Sequence, residues 1–140
     1  MKKTVKLLAL SLLLALLLGT LASCMNAPAS DAVKAKEALK NNGYTVTHLQ
    51  DSLTDKAALA VFELVGIEDL ETVVSATNAD GEHITIFYFE EAEDADEEWE
   101  DVKKYVDDEK KESGEESEWV LDKSGNMIFF GTKAAVKAAK

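Results

Sequence analysis

ETVVSATNADGEHITIFYF, residues 71–89, holds two β-rich runs and a turn. Thr72, Val73, Val74 and Thr77 give the first run its β-branched character, and His83 to Phe89 form the second. Between them Asn78-Ala79-Asp80-Gly81-Glu82 reads as a hairpin loop, with Gly81 able to take a positive φ. The second strand is apolar on both faces: Ile84, Ile86 and Tyr88 point one way, Phe87 and Phe89 the other. Such a strand is either central and covered on both sides or carries an exposed aromatic patch.

Downstream, residues 91–111 change period. Ala92, Ala95, Trp99, Val102 and Val106 recur at steps of three and four, a narrow apolar stripe on a charged helix that ends at Ser113-Gly114. Trp99, mid-stripe, is expected to pack on the sheet. Residues 118–122 and 126–130 form a second hairpin across Lys123-Ser124-Gly125, and Thr132 caps an alanine-rich helix. Upstream, Ser30 or Asp31 can cap a helix to about Lys40, with Ala32, Ala35 and Leu39 on one face and Asn42-Gly43 as its stop. Residues 44–48 read as a strand. Residues 54–65 read as a helix apolar nearly all round, which predicts burial on more than one side, with a buried strand as the alternative.

From Tyr44 to Asp122 the order strand, helix, strand, strand, helix, strand resembles the ferredoxin-like arrangement, an antiparallel sheet with helices on one face. The expected class is α+β: an antiparallel sheet of about five strands, ferredoxin-like at its core, with an extra N-terminal helix and a C-terminal strand and helix. In that arrangement Phe87 and Phe89 fall on the face away from the helices, joined by Met127 with Phe129 or by Ile128 with Phe130. They are the candidate interaction surface, unless the helix at 54–65 or the C-terminal helix folds over them and completes the core.

Charge and chemistry narrow the function classes. Residues 90–118 carry sixteen carboxylates and four lysines. That segment reads as a solvated helix face or as a surface for cations or a partner, and loose carboxylates hold divalent ions weakly without a fixed cage. Residues 94–98 begin like a calcium loop, but Trp99 stands where the turn glycine belongs and Tyr105 where the bidentate glutamate belongs. His48 and His83 lie on different strands with no second ligand at metal spacing, so no metal site is expected. No nucleophile elbow, phosphate loop or arginine occurs, and no catalytic or cofactor-binding residues are assigned.

The N-terminus sets the expected location. Lys2, Lys3 and Lys6 precede an apolar run from Leu7 to Leu18, and Gly19-Thr20-Leu21-Ala22-Ser23-Cys24 follows. Basic flank, short apolar core and small-residue end are the order of a secretory signal, too short for a span of about 20 residues. Leu21 to Cys24 resembles the lipobox of bacterial lipoprotein precursors. That resemblance implies cleavage before Cys24, the only cysteine, and a diacylglycerol on its sulfur. Cleaved secretion without lipid and an uncleaved anchor are the alternatives. Residues 1–23 are then signal peptide, 24–30 a short tether and 31–140 one α+β domain. Loss of Lys2, Lys3 and Lys6 leaves 12 lysines against 27 Asp and Glu, a formal −15. That sign disfavours nucleic acid, and it leaves membrane attachment to the lipid on Cys24. The expected function is non-covalent binding of a protein partner, wall polymer or small ligand at the extracytoplasmic side of the cell membrane. The alternative is an envelope enzyme or accessory subunit using carboxylates of the acidic helix.

Overall fold

The computed structural model describes residues 27–49, 53–114 and 119–140. The expected signal peptide, residues 1–23, lies outside the described residues, as do Cys24 and residues 115–118. Among the described residues nine elements follow in order: α1 (Ala32–Asn41), β1 (Thr45–Leu49), α2 (Leu53–Leu64), β2 (Leu70–Thr77), β3 (His83–Phe89), α3 (Ala92–Ser113), β4 (Val120–Ser124), β5 (Met127–Gly131) and α4 (Lys133–Ala138). The class is α+β, with one five-stranded antiparallel sheet in the order β1-β2-β3-β5-β4.

That order departs from the ferredoxin-like expectation. There the first strand would lie between the third and fourth, and here β1 pairs with β2, Leu49 opposite Val73 and Thr45 opposite Thr77. The cause is the connection. In a ferredoxin-like unit the helix returns the chain to the far end of the sheet for a parallel strand. Here α2 is followed by a return leg, residues 65–69, so β2 begins at the end where β1 stopped. Ile67, fully buried, fixes that leg, and Asp69 turns it at φ 58°.

Helices cover both faces, which also corrects the one-sided expectation. On one face α1 and α4 bury Ala35, Leu39, Ala135 and Val136 against Val74, Ile84, Ile86, Tyr88, Met127 and Phe129. On the other, α2 and α3 cover Val73, Phe87, Phe89, Ile128 and Phe130. Phe87 and Phe89 are 0% exposed, so they are core and not an interaction surface. Each fully buried ring contributes about 1.5–3 kcal/mol of apolar burial. Phe62 of α2 meets Phe87 edge-on at 5.3 Å, and Phe130 stacks on Phe87 at 6.0 Å. The companion pair on this face is Ile128 with Phe130, as strand alternation requires once Phe87 is placed.

Within the helices the stripes are narrower than expected. Ala95, Val102 and Val106 of α3 are buried and Trp99 is half-buried against the same core, but Ala92 is exposed. α2 buries one side only. Leu59 and Phe62 pack on the sheet, whereas Val61 is 58%, Leu64 85% and Val65 51% exposed, against the expectation of burial all round. At the α1 N-terminus Asp31 is the cap, its Oδ1 accepting from the Val33 and Lys34 amides at 2.8 and 3.2 Å.

The seam between β3 and β5 has one steric requirement. Gly131 lies opposite Ile84 with φ 154°, and a Cβ there would stand 2.2 Å from the His83 carbonyl oxygen. No other residue fits without moving the backbone.

Candidate functional site

At the end of the sheet where β1 stops and β2 begins, the α1 side opens into a cleft of about 510 Å³. It is lined by Ser30, Asp31, Ala32, Val33, His48, Glu71, Thr72, Tyr88 and Asn126. That volume lies in the range of small-molecule sites. Each wall has a local cause. The first turn of α1, fixed by the Asp31 cap, supplies residues 30–33. Alternation puts His48 on the same face as Val46, which packs toward α1, and Tyr88 on the face of Ile84 and Ile86. Glu71 is at a register shift: Leu70 opposes Phe89 and Thr72 opposes Tyr88, so Glu71 is the extra residue of a bulge and its side chain reaches the cleft.

The polar groups are held from within the domain. Tyr88, 2% exposed, donates its hydroxyl hydrogen to the Ala29 carbonyl at 2.8 Å. Thr72 donates to the Leu49 carbonyl. Asn126 donates from Nδ2 to the Phe89 carbonyl at 2.9 Å, and its own carbonyl accepts from the Phe89 amide at 2.8 Å. Burial, and then the charge of Asp31, push the Tyr88 phenol far above its ordinary range, so it stays protonated. Burial and the neighbouring Lys36 lower the His48 pKa against the opposing pull of Asp55 and Asp31, which favours the neutral imidazole.

The strap leading into the cleft is part of the body. Pro28 is buried, Ala27 and Ala29 pack on the α1–α4 core, and the Ala29 amide donates to the Ala139 carbonyl at 2.8 Å.

Residues singled out in the sequence are distributed elsewhere. His83 lies on the α3 face with its ring 4.7 Å from Trp119. The acidic helix projects an exposed row including Asp96, Glu97, Glu100 and Asp101, with Lys123 paired to Asp96 and Lys103 to Glu100. Asp94 instead accepts the Glu91 amide at 3.0 Å and starts the helix. Among the described residues no three His, Cys, Asp or Glu side chains are grouped to hold a metal ion, and no helix is long and apolar enough to cross a membrane.

Sequence reasoning noted Asp31 as a cap and His48 as a strand residue, but it did not bring them together with Glu71 and Tyr88. The one signal was the short distance between the cap and the strand that ends at His48. Comparison with family models, curated proteins and solved structures gives no match for this chain.

Proposed function

We propose that this chain is the precursor of a bacterial lipoprotein, anchored through Cys24 on the extracytoplasmic side of the cell membrane, and that it holds a ligand non-covalently in the cleft between α1 and the ends of β1, β2 and β3. The observation that carries the binding reading is the cleft itself, where side chains from α1, β1, β2, β3 and the β4–β5 turn converge on one 510 Å³ space. Its concavity suits a small ligand or the end of a wall polymer better than a flat protein partner. The anchor rests on the basic flank, the apolar run and Leu21-Ala22-Ser23-Cys24. Ala27 is already packed, so a lipid on Cys24 would hold the domain within roughly 10 Å of the bilayer, at 3.3–3.6 Å per residue. An enzymatic role for the acidic helix gains no support from the geometry, because α3 and the cleft are on opposite faces of the sheet.

Two measurements test the two halves. Metabolic fatty-acid labelling should reach the wild-type protein and vanish in Cys24→Ala, and label that persists refutes the anchor. Val33, 50% exposed on the rim, can be changed to tryptophan to fill the cleft. Affinity capture from an envelope extract should then lose the wild-type ligand, and undiminished capture by Val33→Trp places binding elsewhere.

A further inference from the structure

We infer that the cleft takes a primary ammonium group, carried on a small hydroxylated amine; this rests on the cleft being the binding site. The lining is unbalanced in charge. Tyr88 and Thr72 have each given their only hydroxyl hydrogen to a backbone carbonyl, Ala29 and Leu49 respectively. What they retain for a ligand is lone pairs. Asp31 and Glu71 are acceptors only when ionised, and Asp31 spends Oδ1 on the helix cap. Ser30, His48 and Asn126 also line the cleft and bring neutral donors, but no lysine is among the lining residues, so the lining carries two carboxylates and no cation. Lys36, the cation felt at His48, does not line the cleft.

A lining that carries two carboxylates and no cation favours a ligand that brings positive charge and donors of its own. An ammonium supplies three donors and the opposite charge, and each N⁺–H to carboxylate bond is roughly twice as strong as a neutral one. An anion would meet the reverse. The helix N-terminus could attract one with about half a charge, but the Asp31 carboxylate already occupies that position and outweighs it. Neutral polyols can donate hydroxyls to the carboxylates but bring no opposite charge. The cleft therefore discriminates by charge among ligands of one shape.

The experiment uses isotope-labelled protein in detergent micelles and three sugars of similar size: glucosamine, glucose and N-acetylglucosamine. Glucosamine should shift the backbone amides of Val33, His48, Thr72 and Tyr88 saturably, and the two neutral sugars should shift them at least about tenfold more weakly. Glu71→Gln, an exposed position that folding tolerates, should weaken glucosamine about tenfold. Equal shifts at these amides with glucose overturn the ammonium assignment and leave the cleft as the binding site. Glucosamine shifts confined to α3, or none in the cleft, also overturn it. Saturable binding that Val33→Trp does not touch removes the cleft reading itself.

Discussion

Gly131→Ala adds one methyl group at the seam between β3 and β5, where an ideal Cβ stands 2.2 Å from the His83 oxygen and 2.7 Å from the Ile84 Cα. The φ of 154° costs a non-glycine residue about 1–3 kcal/mol, and forcing the strands apart costs about 1–3 kcal/mol more. A loss near 4 kcal/mol is a large share of the 5–15 kcal/mol that holds a small domain together. With a urea slope of about 2 kcal/mol per molar, the midpoint should fall by about 2 M. Gly125→Ala is the control, since φ is 58° and nothing lies within 4 Å of its Cβ, so only the left-handed backbone cost of about 1 kcal/mol applies. Urea titration followed by Trp99 and Trp119 fluorescence reads both variants, because both indoles pack on the α2–α3 face. Equal midpoint shifts for the two glycines would refute the steric account of the seam.

Trp99→Ala should cost about 2–3 kcal/mol, less than a fully buried tryptophan, because the ring is half-buried and Lys123 Nζ lies 5.6 Å from its centroid; an unchanged urea midpoint would mean that α3 does not dock through it. Stability should be full above pH 6.5, the ordinary histidine value, and decline as pH falls toward the lowered folded pKa of His48. The unfolded chain binds that proton more readily, so His48→Gln should flatten the slope below pH 6.5, and a slope that survives in the variant assigns it to another group. Burial raises the Glu98 pKa, and Asp101, Glu68 and Asp69 add to the rise against the hydrogen bond from the Glu68 amide. Its contribution is full below pH 4.5 and lost as pH rises through the folded value. Glu98→Gln keeps an acceptor and should therefore raise the melting temperature at pH 7 but not at pH 4, and a drop at pH 7 would refute that balance.

Local signals in the sequence carried the elements and missed how they meet. The alternation in His83 to Phe89 and the steps from Ala95 to Val106 report which residues share a face, and both stand in the structure. They say nothing about which helix covers which face. The long helix covers Phe87 and Phe89, not the Ile84 and Ile86 side, because strand order and connection handedness decide that. The apolar run through α2 to Val65 also misled: Val61, Leu64 and Val65 suit a buried helix, but they are exposed, and Leu59 and Phe62 are the ones seen packed on the sheet among the described side chains. Strand order itself turned on residues 65–69, a short leg with no periodicity to read. The cleft was illegible for a related reason. Ser30, His48, Glu71, Tyr88 and Asn126 are scattered along the chain, and a one-residue bulge sends Glu71 to the site.

The strand order also sets the sequence of events in folding. β2 with β3, and β4 with β5, are hairpins closed by residues 78–82 and 125–126. The β3–β5 seam must instead close a loop from Phe89 to Met127 that contains the 22 residues of α3. Loop-closure entropy grows only as the logarithm of length, so going from a two-residue turn to this loop adds about 2–3 kcal/mol. Helix α3 shortens the effective loop if it forms early, and its Glu91–Asp94 start is local to the helix. If the two hairpins form first, their meeting across that helix is the step expected to set the folding rate. Until they do, β3 and β5 each present an open edge with apolar side chains on both faces, the state in which this chain is most exposed to association with its own copies.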